Sequence, residues 1–376
     1  MPEFHAFAVS ENFHAGNAIS ALMGGALLGV SVIFMTGLTG EVLGVSGCSR
    51  SLLVKPALDK MAFLVGLLVV GAVMSRTYEG AFEPLPPHVD LSGYRHVLYM
   101  ARLLIGGVLV GVGTAFGNGC TSGHGLTGLA RLALRSWVGV PCFMCFGAIS
   151  ATFLHGVSYI PPSLHCEREA ANVHRAAIWS ATVVLSLAVS AALLTAAQRA
   201  IGPESKSKLQ VIVCLLSGMS FGVGLGVSGM SRASKVVGFM DLGSGAWDPA
   251  LAFVMGGALA FSMPFFQIVE RLNSPVPLLG GRFGLVSKAE PVDRELIIGT
   301  AIFGLGWGLC GMCPGPIWAN VGAFHGKEVL LVVGGLFIGN AVWVAWKKLM
   351  TSSKVGESGG YAQVSSNGKD STKPLV

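Results

Sequence analysis

The chain has 376 residues, 52% of them hydrophobic and only 12% charged, with a formal net charge of +6 and a mean hydropathy of +0.67. That composition excludes an ordinary soluble globular domain and a disordered chain, and points to a membrane protein.

In chain order, residues 1–14 are polar and lack a basic n-region, so they do not read as a cleavable secretory signal. Nine apolar runs follow, near 15–36, 57–75, 97–116, 136–157, 176–197, 209–228, 249–269, 295–312 and 329–346. A bilayer core takes roughly 17–25 residues of helix, so each run is a candidate span. The runs near 57–75 and 97–116 carry charge at an edge, Asp59 with Lys60 and Arg102, where long basic side chains reach the headgroups. From Thr351 the sequence turns to Ser, Gly and Lys, and residues 351–376 are expected to be a disordered tail.

Nine spans put the termini on opposite sides. With the C-terminus inside, the inner segments hold Arg50, Lys55, Lys60, Arg131, Arg135, Arg199, Lys206, Lys208 and further basic residues up to Lys348. The outer ones hold fewer, among them Arg76, Arg95, Arg168, Arg175, Arg232 and Lys235. The positive-inside rule therefore favours an N-terminus outside and a C-terminus in the cytoplasm, as expected of a multi-pass cell-membrane (inner or plasma) protein. Basic residues so placed need lipid around them and no nucleic acid.

Two motifs recur. VSGCSR (Val45–Arg50) returns 182 positions later as VSGMSR (Val227–Arg232), with Met230 in place of Cys48. GVGTAFGNGC (Gly111–Cys120) returns 193 positions later as GLGWGLCGMC (Gly304–Cys313), ending on a cysteine both times. Five spans separate corresponding points, so the second copy is expected upside down: a first half at 15–157, a linking loop and span at 158–200, and an inverted second half at 201–350. The fold expected is an all-α polytopic membrane protein with an inverted 4+1+4 repeat. Glycine-dense motifs after a span disfavour continuous helix and free backbone polar groups, which the hydrocarbon layer tolerates only inside protein or along a polar cavity. Short re-entrant helices lining a passage are the expected result.

SGCSR, GNGCTSGHG and GLCGMCPGP together resemble the YeeE/YedE sulphur-transport family, over about Ala15 to Trp346. The resemblance implies a thiosulfate importer in which one cysteine from each of three motifs, here Cys48, Cys120 and Cys313, lines the path. Met230 holds the fourth repeat position. Cys310 departs from the family pattern, which has a small residue there. The substrate path is thus expected at Cys48, Cys120 and Cys313, with Gly47, Gly119, Met230, His124 and Cys310 beside it.

The chemistry fits the implied cargo only in part. Stripping water from an ion costs tens of kcal/mol in a low dielectric, and an S–H donor returns only about 0.5–1.5 kcal/mol. Backbone N–H groups and helix N-termini must supply the rest. Arg50 and Arg232, at equivalent positions, attract an anion at the two mouths or anchor to headgroups. His124 serves the anion or the local backbone. Cys142, Cys145, Cys166 and Cys214 read as small hydrophobes, with a redox or metal role for the Cys142/Cys145 pair as the alternative. His165, Cys166 and His174 lack zinc spacing, so no metal and no cofactor are expected. No G-x-x-x-x-G-K-[ST] occurs, and no catalytic residue is expected. Two alternatives stand beside thiosulfate import: another sulfur or selenium oxyanion as cargo, and a membrane sulfurtransferase or thiol oxidoreductase. A reactive thiolate wants nearby positive charge; Cys48 has Arg50 close in sequence, whereas Cys120 and Cys313 have no such neighbour.

Overall fold

Surrounded by lipid, a backbone must satisfy its own hydrogen bonds, and long uncharged runs do so as helices. The computed structural model describes residues 15–78, 80–83, 93–153, 173–202, 206–243, 247–272, 275–285, 287–288, 290–324, 326 and 328–361. Among them are α1 (Ala15–Thr39), α2 (Val45–Val54), α3 (Leu58–Thr77), α4 (Tyr94–Phe116), a π-helical segment (Thr121–Gly128), α5 (Leu134–Phe153) and α6 (Val173–Ile201). Then come α7 (Lys206–Ser228), α8 (Ala233–Met240), α9 (Ala250–Arg271), α10 (Arg294–Cys310), α11 (Pro314–Ala323) and α12 (Val329–Tyr361). Nine stretches of the described residues are long and apolar enough to cross a membrane; the eighth is α10 continued through α11, Arg294–Ala323.

The nine stretches match the runs read from hydropathy, with shifted ends. α5 stops at Phe153, and residues 154–157 of the expected fourth span lie outside the described residues. α12 runs on to Tyr361, into the polar segment expected to be a tail, while residues 362–376 lie outside the described residues.

Four segments are too short to span. α2 and α11 have 10 residues each, and the π segment and α8 have 8. At about 1.5 Å per residue they reach half of a ~30 Å hydrocarbon core at most. They follow α1, α4, α7 and α10 in turn.

The long helices pair in a regular way. α1 packs on α9 and α7 on α3; α4 packs on α12 and α10 on α5; α1 meets α7, and α4 meets α10. α6 lies against α1 and α7. Helices in lipid gain no hydrophobic drive from associating, so close approach and packing hold them together, and small residues permit it. At Gly25 of α1 a Cβ would strike the Val254 carbonyl of α9, and at Gly218 of α7 the Phe63 carbonyl of α3. Gly111 of α4 lies on the Leu336 carbonyl of α12 in the way that Gly304 of α10 lies on the Phe143 carbonyl of α5. In each couple the two glycines are 193 positions apart, and their partners 191 and 193. Ser31 and Ser217 join α1 to α7 by mutual hydrogen bonds of 2.8 to 3.1 Å.

Candidate functional site

The site grows from two chain breaks. Asn118 has φ 51° and Gly311 has φ 67°, each two residues ahead of a cysteine. These left-handed turns end α4 and α10 and swing Cys120 and Cys313 into extended N-cap positions, φ −136° and −92°, at the start of the π segment and of α11. Asparagine and glycine are the residues that tolerate this conformation. Gly311 has a second constraint, since a Cβ there would meet Ala233 at the start of α8 at 2.8–3.0 Å.

Arg50, on α2, donates to the Ala115 carbonyl at 3.3 Å and the Asn118 side chain at 3.2 Å, and stands 4.9 Å from the Trp343 ring centroid. Its guanidinium therefore braces the first break. Arg232 is 6% exposed, and its backbone N–H closes a turn on the Gly229 carbonyl.

Side chains beside the two cysteines tie distant segments together. Ser122 accepts the Val45 N–H from the first turn of α2 at 3.2 Å and lies 3.1 Å from the Cys120 sulfur. Thr121 donates its hydroxyl to the Cys313 sulfur at 3.2 Å, across 192 positions of sequence. Cys120 is within electrostatic reach of both Cys48 and Cys313. All three cysteines are buried, at 5%, 1% and 4% exposure, and none faces the surrounding lipid.

A cavity of about 300 Å³ opens beside this meeting point. Its polar wall is Thr121, Ser122, Cys313 and Trp307; the rest is apolar, with Met144, Met230 and Met255 supplying thioether sulfur. Of the expected site residues, then, Cys313 and Met230 line the cavity itself, while Cys48 and Cys120 do not, Cys120 pairing instead with the wall residue Ser122.

The remaining expected residues have visible partners. His124 is held at both ring nitrogens, Nδ1 to the Ser136 hydroxyl and Nε2 to the Gly117 carbonyl, each at 3.0 Å. Its ring fills the place a Cβ at Gly119 would take, 2.7 Å away. Gly47 has open space where a side chain would begin. Cys310 donates weakly to the Met312 carbonyl at 3.4 Å and does not line the cavity. Cys214 is buried in the core, Cys142 reaches the Ile297 carbonyl at 3.7 Å, and Cys145 is exposed. His165 and Cys166 lie outside the described residues; His174 begins α6. Among the described residues no group of three His, Cys, Asp or Glu is arranged to hold a metal ion.

Sequence reasoning missed Thr121, Ser122 and Trp307. The first two sit inside GNGCTSGHG, where a hydroxyl next to a candidate thiol was the available signal. Trp307 sits in GLGWGLCGMC, where an aromatic residue on an apolar helix gives no signal.

A profile of the family described as Sulphur transport matches residues 14–150, and one of a family of unknown function (DUF6691) matches residues 209–355. A probable transporter of Xylella fastidiosa strain Temecula1 is 43% identical over 126 residues, 34% of this chain and 83% of its own. Its counterpart in strain 9a5c is 43% identical over 124 residues, 33% of this chain and 83% of its own. A further probable transporter of strain Temecula1 is 36% identical over 135 residues, 35% of this chain and 92% of its own. No solved structure matches.

Proposed function

We propose that this chain, which belongs to the sulphur-transport (YeeE/YedE) family of membrane transporters, imports thiosulfate along a path that passes Cys48, Cys120 and Cys313. The observation that carries the reading is that three buried cysteines come from three separate motifs that touch one another: Ser122 pairs with Cys120 and takes the Val45 N–H of the helix that carries Cys48, and the Thr121 hydroxyl reaches the Cys313 sulfur. Thr121 donates to the Cys313 sulfur, which leaves the S–H of Cys313 free to donate to an anion.

The four short segments act as re-entrant arms, two from each face, in an inverted 4+1+4 arrangement; the glycine crossings that recur about 193 positions apart support this. Weak donors in series suit conduction, because an ion held too firmly does not leave. Each thiol returns about 0.5–1.5 kcal/mol, and the ends of α2 and α11 add backbone N–H groups and the positive pole of the helix dipole. The N-terminus lies outside and the C-terminus in the cytoplasm, with the buried Arg232 and Lys235 toward the outer side. Gly47 and Gly119 keep the backbone close to the ion, and His124 holds the π segment in shape.

The test is uptake of labelled thiosulfate into proteoliposomes, with sulfate as control and product analysis afterwards. Thiosulfate should accumulate unchanged. Uptake no greater than in protein-free vesicles rejects the reading, and sulfite or persulfide in stoichiometric yield replaces it with sulfur-transfer chemistry.

A further inference from the structure

Glu83, beyond the end of α3, is only 3% exposed, and a buried carboxylate persists only where donors satisfy it. Its partner lies 151 positions away. Ser234, the second residue of α8, donates its backbone N–H to one carboxylate oxygen at 2.6 Å and its hydroxyl to the other at 2.5 Å. The N-cap residue of α8, Arg232, makes no side-chain cap bond, so a remote acid sits at the positive end of this short helix. Two basic side chains flank Ser234 in sequence and are themselves buried, Arg232 at 6% and Lys235 at 7% exposure. Lys235 donates to the Asn17 side chain of α1, and the Arg232 guanidinium folds back over the turn at Gly229.

This place adjoins the cavity and the second chain break. Asn320 of α11 donates to the Ser231 carbonyl at 2.8 Å, and Ala233 packs on Gly311, two residues ahead of Cys313. Met230, one residue before Ser231, lines the cavity. In the proposed orientation α3 and α7 both end on the outer side, where an incoming anion arrives. The chemistry of the contact is specific: one N–H and one O–H form a fork that two oxygens on a single central atom can take together. Thiosulfate, sulfite and sulfate carry such a pair of oxygens; chloride and hydrosulfide do not.

We propose that Glu83 is a tethered stand-in for the cargo: its carboxylate fills an oxyanion site on Ser234 at the start of α8, and an entering sulfur oxyanion displaces it, oxygen end first, on the way to Met230 and Cys313. Resting on the sulfur-anion reading above, this adds an entry site with a built-in competitor. A group held on the same chain competes at an effective concentration of about millimolar or more, so it turns away weak ligands and keeps the site from holding an anion too firmly.

The test is equilibrium binding of labelled thiosulfate to purified wild type, Glu83→Ala, Glu83→Gln and the double variant Glu83→Ala with Ser234→Ala, with sulfate and chloride as competitors at fixed ionic strength. Removing the tethered carboxylate should tighten binding about tenfold in Glu83→Ala, with sulfate competing and chloride not. Glu83→Gln keeps the shape of the side chain and can still accept a bond from Ser234, so it should fall between Glu83→Ala and wild type. The double variant should lose the gain, because half of the fork is gone. If Glu83→Ala does not elute as folded protein, Glu83→Gln decides: tighter binding supports the displaced carboxylate and unchanged binding overturns it. Folded Glu83 variants that bind thiosulfate no tighter than wild type leave Glu83 as a cap of α8, while thiosulfate uptake by the wild type still stands. Tight sulfate binding to Glu83→Ala, beside a wild type that moves no thiosulfate, overturns the transport reading instead and leaves the oxyanion site in place.

Discussion

After Cys120 the chain runs as a π-helix; after Cys313, 193 positions on, it runs as an α-helix. The first segment, TSGHGLTG, is loosened by three glycines and anchored from outside, with Ser262 of α9 donating to the Leu126 carbonyl at 3.1 Å. The second opens with Pro314 and Pro316, whose fixed φ suits a helix start. The repeated VSG motif diverges too: Cys48 lies within α2, whereas the second copy ends α7 and turns at Gly229, φ 71°. Yet the long helices cross at glycines that recur 193 positions apart, Gly25 with Gly218 and Gly111 with Gly304. The crossings repeat because backbone contact leaves no latitude in side-chain size, while the short segments are shaped by whatever packs over them.

The largest effect is expected where the halves agree. Gly25→Val and Gly218→Val each push a side chain into a carbonyl of the facing helix, and each should cost on the order of 4 kcal/mol or more. Gel filtration in detergent after mild heating should show both variants lost to a similar degree. A variant that stays monodisperse breaks the equivalence of the two crossings.

Next come the cysteines of the proposed path, which sit in the segments that differ. Cys→Ala at 48, 120 or 313 should cut thiosulfate uptake at least tenfold at normal membrane levels, since about 1.4 kcal/mol of lost stabilisation is a factor of ten. Cys→Ser should lose part of the rate and some preference for thiosulfate over sulfate. Cys214→Ala, in the core between helices, should be nearly silent. Full rates in all three alanine variants would move the path away from the thiols.

Smaller effects separate the two breaks. Gly311→Ala places a side chain at positive φ against Ala233 and should cost about 1–3 kcal/mol in thermal stability. Asn118→Gly relaxes φ but removes the Arg50 partner, for a net change of about 1 kcal/mol or less. Equal losses would mean that the two turns are under the same constraint.

The smallest effect belongs to the ion pair between Arg135 and Asp293, 2.7 Å apart, with Arg135 mostly covered and Asp293 about half exposed. Hydrogen bonding to Arg135 holds the Asp293 carboxyl below its usual range. A depressed folded value means that the pair adds stability above the ordinary aspartate pKa of about 3.9, and the gain is lost as pH falls through the lower folded value. Because the carboxylate is half exposed and salt-screened, Asp293→Asn should lower stability by no more than about 1 kcal/mol at neutral pH and by nothing in strong acid. The Asp293 side chain also caps α10 through the Leu296 N–H at 2.7 Å, a bond that asparagine retains.

The nine apolar stretches were legible in the sequence because a lipid-facing helix must be apolar along its whole length, so hydropathy alone marks it. The breaks after α4 and α10 were legible as glycine-rich motifs ending on Cys120 and Cys313, because a left-handed turn restricts which residues fit. Hydropathy and motifs stopped short of partners. His124 read as a ligand of the anion or of the backbone, with the backbone role slightly favoured, and only the folded chain puts Ser136 and Gly117 on its two nitrogens. The Thr121 hydroxyl on Cys313 joins residues 192 positions apart, and the Glu83 carboxylate on Ser234 joins residues 151 positions apart. Composition and spacing determine where a chain crosses and where it must bend, since those are properties of a local segment and its solvent. Which donors face one another in a buried space is decided by the packing of distant segments, and only the tertiary structure supplies it.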